Sequence, residues 1–177
     1  MHRLSRRLVL VCGLAVLGAA GTGCGFRWRG ANLQLPFRTL RLQGAGAGGE
    51  VAQRLSAQLR ASGVQVWTAP SPAAAADGVP VPDAVLDLSL DQREWVVVGT
   101  TAAGQVRELL LRYRVRFALR TPAGREWIEP TELQQERELS YAETVVLGKE
   151  AEEALLFDDM RAALVRQIMV RLAAVRP

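Results

Sequence analysis

Histidine and cysteine are almost absent from this chain: of 177 residues one is histidine and two are cysteine. His2 and Cys12 both lie in the first twelve positions, which leaves Cys24 alone beyond them. A Ser/His/Asp or Cys/His nucleophile system, an imidazole metal site and a disulfide framework therefore lack their residues in the rest of the sequence. Lys149 is the sole lysine among the 22 Lys+Arg, so nearly all positive charge is carried by guanidinium groups. Long apolar runs are missing too; the longest, Leu8 to Leu17, is too short for a permanent membrane span.

That run follows Arg3, Arg6 and Arg7 and leads through small residues to Cys24, the layout of an export signal over residues 1–23. Ser5-Arg6-Arg7 also fits twin-arginine export, while the strongly apolar run suits the general secretory route better. Three of the 22 basic residues leave with the signal and no acidic ones, so 19 face 18 acidic residues and the mature chain carries +1. The pI near 9.8 is thus largely an export feature and poor support for nucleic-acid binding. Residues 24–177 suit one domain with a modest core.

Periodicity organises that domain. Phe37, Leu40 and Leu42 mark a short strand ending at Gly44-Ala-Gly-Ala-Gly-Gly49, which lacks the lysine and spacing of a phosphate-binding loop and is expected to be a flexible connection. Glu50 to Ser62 predicts an amphipathic helix with Val51, Leu55 and Leu59 on one face beside Ala52, stopped by Gly63. Val64 to Trp67 reads as a strand, completing a strand-helix-strand unit. Residues 69–83, with four prolines and five alanines, read as a surface loop. Three long strands follow: Ala84 to about Val98, then 109–120, then Glu126 to Ser140, joined by turn-rich stretches at 99–105 and 121–124. Gly148 to Val175 predicts a long helix with Leu156, Met160, Leu164, Ile168 and Leu172 inward and charges that suit its dipole. The expected architecture is α+β, a two-layer sandwich with a mixed sheet of about four to five strands and two helices on one face.

The central strand, LLLRYRVRFALR, sets arginines at 112, 114, 116 and 120 against apolar residues at 111, 113, 115, 117 and 119. Alternation puts the arginines on one face. The next strand carries Glu126, Glu132, Glu136 and Glu138 at even positions, so a regular hairpin sets Arg120 opposite Glu126 and Arg114 opposite Glu132, or one step along if Pro130 makes a bulge. Matching apolar faces brings Asp91 near Arg114 from the other side. A solvated charge ladder is the expectation, with an anion-binding surface as its rival. Glu132 and Glu136 as a hydrolytic carboxylate pair is the weaker third reading, because they lie on a strand beside arginines.

Gly21-Thr22-Gly23-Cys24 has the form of a lipoprotein cleavage site: the Cys24 thiol takes a diacylglyceryl group and becomes the new N-terminus. Two or three acyl chains, at ~0.8 kcal/mol per buried methylene, anchor far more firmly than one. Gly21 stands where such signals usually carry leucine. Cleavage nearer Ala20 would leave Cys24 a free thiol, a liability in an oxidising compartment.

Cys24-Gly25-Phe26-Arg27-Trp28-Arg29-Gly30 resembles the mature start of the LptE family of lipopolysaccharide-assembly lipoproteins. Element order and length of the whole mature chain are similar too. The resemblance implies a non-enzymatic, cofactor-free protein of the Gram-negative outer membrane, lipid-anchored on the periplasmic side, that plugs a large β-barrel partner, LptD, helps it assemble and contacts lipopolysaccharide during its insertion. The alternative is a generic outer-membrane lipoprotein acting as a periplasmic scaffold or binding module. Phe26, Trp28 and Arg29 are candidates for contact with the partner or the membrane interface, with packing on their own domain as the equal alternative. The family's lipopolysaccharide-binding lysine precedes the C-terminal helix, and Lys149 matches it. A second family position, an arginine at a hairpin tip, is replaced here by Ala102-Ala103; Arg93 or Arg107 could stand in from nearby.

Overall fold

The computed structural model describes residues 33–68, 81–140 and 146–176. The signal segment, Cys24 with its heptad, and residues 69–80 lie outside the described residues. The elements in chain order are β1 (Thr39–Gln43), a 3-10 turn (Ala45–Gly48), α1 (Glu50–Ala61), β2 (Gln65–Thr68), β3 (Ala84–Thr100), β4 (Val106–Arg120), β5 (Glu126–Ser140) and α2 (Val146–Ala173). They form one five-stranded sheet in the order β2-β1-β3-β4-β5. β1 runs parallel to both β2 and β3, and β3, β4 and β5 alternate antiparallel. The mixed topology follows from connection length: parallel β1 and β2 need a crossover, supplied by α1, while the long strands need only tight turns.

Both tight turns use the same local chemistry, Thr101-Ala-Ala-Gly104 and Thr121-Pro-Ala-Gly124. In each, the glycine adopts positive φ (80° and 92°) and donates its N–H to the threonine carbonyl at 2.9 Å. The threonine hydroxyl then accepts the N–H of Gln105 or Arg125. Glycine is needed because a Cβ disfavours that backbone region.

Leu40, Leu42, Leu86, Leu88, Leu111, Val115, Phe117 and Leu119 present a buried ridge from the sheet. α1 covers it with Val51, Ala52, Leu55 and Leu59, and α2 with Phe157, Met160, Leu164, Val165, Ile168, Met169 and Leu172. Each such burial contributes about 1.5–3 kcal/mol, so this single core carries the fold. The expected two-layer α+β sandwich is therefore present, with five strands. On α2, Phe157 is buried and Leu156 only packs against the margin. Stepping strictly by four residues drifts about 40° per step around a 3.6-residue helix, so a core stripe has to mix steps of three and four.

Two expectations are corrected, and a third is met in its bulged alternative. The 44–49 stretch is a tight 3-10 turn on β3, with Gly46 buried. A Cβ on Gly44 would lie 2.7 Å from the Leu88 carbonyl carbon, so glycine here permits backbone to approach backbone. The β3–β4 register shifts between Leu88 and Leu90, and beyond it Asp91 pairs with Val115 while Gln92 and Glu94 pair with Arg114 and Arg112. One extra residue at Ser89 exchanges the faces, so Asp91 lies on the helix side and not beside Arg114. In the β4–β5 hairpin Arg120 does face Glu126, but the register shifts between Phe117 and Arg120, so Arg116 faces Glu132 and Arg114 faces Gln134. Pro130 lies in the shifted stretch, as a residue without an N–H for the ladder would.

Candidate functional site

Three surfaces carry the chain's polar and apolar chemistry. The first is the helix-free face of the sheet. Arg112 bonds Glu136 at 2.7 Å and reaches Glu94 at 3.5 Å. Arg114 pairs with Glu94 and, diagonally at 3.6 Å, with Glu132. Arg116 bonds Glu132 at 2.7 Å and Arg120 reaches Asp87 at 3.3 Å. All four guanidinium groups thus have carboxylates from a neighbouring strand, and the Arg112 and Arg114 pKa values are raised, chiefly by bonds to Glu136 and Glu94. Arg116 foremost holds the Glu132 carboxyl below its ordinary range. Such a group stays ionised and paired near neutrality, which is unsuited to proton donation in hydrolysis. The face is wide, polar and internally neutralised.

The second surface lies under the helices. The Asp91 carboxylate accepts the N–H of Val51 at 3.3 Å, capping α1 from a neighbouring strand. Glu50 of the same turn takes Arg161 of α2 and, at 3.6 Å, Arg93 of β3. Asp158 receives both Arg161 and Arg54 at 2.8 Å. Burial, then the nearby Asp91 carboxylate, push the Tyr113 hydroxyl up to about 12, with Arg161 pulling the other way. This network locks α1, α2 and the sheet together where Ser89 turns the strand over. Arg93, a candidate from sequence, belongs to it: its guanidinium sits 5.5 Å over the Phe157 ring. Trp95 and Tyr113 meet the same ring edge-on at 5.3 and 6.1 Å.

The third surface is the hairpin tip with the start of α2. Arg93 lies beside Phe157, and Trp95 Nε1 donates to Glu153 Oε1 at 2.9 Å, so α2 runs antiparallel to β3. One further helical turn puts Lys149 at the level of Val97. Lys149 is half-buried and bonds Glu152 at 2.7 Å. Arg107 is exposed near the start of β4, where the register with β3 shifts again and Gly99 pairs with Glu108 but Thr100 with Val106. Lys149 and Arg107 thus share this end, and Arg93 does not. Trp95, Val97, Val98, Val106 and Leu155 expose apolar surface there, from 43% to 71% of each residue. The apolar strip had no sequence signal, because the face exchange at Ser89 decides which side chains of β3 look outward. Phe26, Trp28, Arg29 and Cys24 lie outside the described residues.

Comparison with known proteins finds that the family model for LptE, lipopolysaccharide assembly, matches residues 33–172. Lipoprotein B from Nitrosomonas europaea, solved by NMR, is 26% identical over 85% of this chain and 92% of that one, with a TM-score of 0.64. Rare lipoprotein B from Shewanella oneidensis is 24% identical over 77% and 94%, with a TM-score of 0.59. A minor lipoprotein from Acinetobacter baumannii is 21% identical over 81% and 100%, with a TM-score of 0.60. The last two share the fold. No curated protein matches.

Proposed function

The chain belongs to the LptE, lipopolysaccharide-assembly, family, and from that premise we propose that it is an outer-membrane lipoprotein that plugs, and helps to assemble, the LptD β-barrel. In this reading residues 1–23 are removed, Cys24 is acylated, and residues 24–177 form one domain held on the periplasmic side. The sheet face around Arg112, Arg114 and Arg116 is the observation that carries the plug. Its charges are matched in place by Glu94, Glu132 and Glu136, so it can rest against the polar lumen of a barrel without bringing unpaired charge. Phe26, Trp28 and Arg29, next to the anchor, would meet the barrel rim or the membrane interface.

Purification of the native, acylated protein from outer membranes tests this: a large β-barrel protein should co-purify in near-equal amount. Its absence overturns the plug and leaves the scaffold reading. Intact mass of the mature protein should show acyl chains on Cys24, and a bare cysteine would remove the anchor.

Contact with lipopolysaccharide is supported by the hairpin-tip end, which holds both Lys149 and Arg107 together with exposed Trp95 and Val97. Phosphate beside acyl chain is the chemistry that such a pairing of cation and apolar surface fits. Lys149→Glu should weaken lipopolysaccharide binding in vitro several-fold, and unchanged affinity would remove Lys149 from the site.

A further inference from the structure

The near-neutral total charge of the mature chain hides a separation along the long axis. Sixteen arginines are described, and eight of them have a carboxylate within 4.0 Å: Arg54, Arg93, Arg112, Arg114, Arg116, Arg120, Arg137 and Arg161. Seven of the other eight gather at the end opposite the hairpin tip. Arg38 enters β1, Arg60 ends α1 with a bond to the Val66 carbonyl, and Arg125 is in the β4–β5 turn. Arg166, Arg171 and Arg176 follow α2 as it descends past β3. All six are exposed and make no ion pair among the described residues; Arg41, half-buried, is the seventh. With Arg120, and counting the described residues, this end holds eight arginines against Asp83, Asp87, Glu126 and Glu129, or +4. On the same count the other end holds Arg107 and Lys149 against Glu108, Glu138, Glu150, Glu152 and Glu153, or −3 among the described residues. β4 alone, with 15 residues, separates the two by about 50 Å.

The described chain begins at the positive end, since Leu33 to Phe37 leads into β1. Cys24 is nine residues before Leu33, a tether of at most about 32 Å. We propose that this arginine-rich end is a membrane-docking surface that binds the anionic headgroups of phospholipids in the leaflet holding the anchor. The orientation rests on the acylation of Cys24 argued above. Acyl chains hold the protein to the bilayer, the arginines turn this end toward it, and the acidic end is repelled from it. Each arginine near an anionic surface strengthens partition about fivefold, falling off within a Debye length.

The test reads the arginines without the anchor. Mature chain with Cys24→Ser, which carries no acyl group, is sedimented with vesicles of phosphatidylcholine alone or mixed with phosphatidylglycerol. The mixed vesicles should bind it and the zwitterionic ones should not, with binding lost at high salt. Arg60→Gln, Arg125→Gln and Arg171→Gln together should weaken partition at least tenfold. Thr100→Glu, Ala103→Glu and Gln105→Glu, which lower net charge equally at the other end, should leave most of it. Circular dichroism confirms that each variant is folded; among the described residues the three arginines make no ion pair, and only Arg60 gives up a bond, the long one to the Val66 carbonyl, so melting should change little. Equal binding to both vesicle types, or equal weakening by the two triple variants, overturns the proposal. Loss of affinity for lipopolysaccharide micelles with phosphatidylglycerol binding intact overturns it too, reassigning the arginines to that lipid. Failure of Cys24 acylation is read separately by intact mass and would leave the vesicle result standing.

Discussion

Gly49 and Asp91 should behave as one unit in a double-mutant cycle. Gly49 has φ −74° and ψ 173°, a conformation open to any residue, so alanine there carries no backbone strain. A Cβ would nevertheless lie 2.8 Å from Asp91 Cγ and closer still to Oδ2. Since that oxygen ends a side chain, the carboxylate can rotate away, and the cost is the interaction it abandons. What it abandons is the Val51 N–H at 3.3 Å and its place beside Tyr113. A bond to a charged group is worth about 1.5–3 kcal/mol, and the length of this one and the half-exposure of Asp91 bring the expectation to about 1–2 kcal/mol. Asp91→Ala removes the same interactions and should cost about the same. The double variant should then cost no more than either single one, a coupling of about 1–2 kcal/mol. In melting of the Cys24→Ser mature chain, each single variant should lose roughly 2–8 °C. Full additivity of the two losses would refute the capping of α1 by β3.

Phe157→Ala should lose about 3–5 kcal/mol in urea unfolding, because Trp95, Tyr113 and Arg93 close on the ring; Leu155→Ala, 71% exposed, should stay within about 0.5 kcal/mol of the parent. Tyr113 ionises near pH 10 when unfolded and near 12 when folded, so the folded state holds its proton longer and stability should fall as pH rises through that window. Tyr113→Phe should remove this part of the alkaline loss in urea midpoints taken from pH 9 to pH 12. The Asp83 carboxyl is held below its ordinary range by the N–H groups of Arg38 and Thr39. Its contribution is present above the unfolded pKa and lost as pH drops through the folded one, and Asp83→Asn should flatten that acid limb.

The elements were legible in the sequence because their periods are clean: two for the long strands, a 3–4 mix for the helices, and Thr-x-x-Gly at both turns. The faces were not fully legible. Leu86, Leu88 and Leu90 alternate in one phase, whereas Trp95 and Val97 alternate in the other, and the exchange occurs at Ser89. Nothing at Ser89 itself announces a bulge; only the glycines at 44, 46 and 49, which pack against β3 at this point, give it a cause. Asp91 therefore read as a partner of the arginine ladder, and Arg93 as a candidate at the hairpin tip, when both belong to the lock under the helices. Pro130 did give warning, and the register of β5 moved there. The grouping of Lys149 with Arg107, and of the exposed arginines at the far end, depends on α2 running antiparallel to β3, which no local pattern encodes.

The ladder on β4 also explains how one strand serves two purposes. Its odd side chains, Leu111, Tyr113, Val115, Phe117 and Leu119, are buried and hold the core. On the other side Arg112, Arg114, Arg116 and Arg120 form ion pairs that are partly exposed, so the pairs add little to stability. Their effect is on what the face can touch. Replacing them by apolar residues would give a strand greasy on both sides, a surface that favours aggregation or burial in lipid. Unpaired arginines would instead draw the face to anionic surfaces, as proposed for the far end, where seven arginines make no ion pair among the described residues. The acids on β3 and β5 keep the middle of the molecule free of both tendencies. That leaves attraction to membranes at one end only, which is the distribution a tethered protein needs if its sheet is to stand inside a polar barrel lumen.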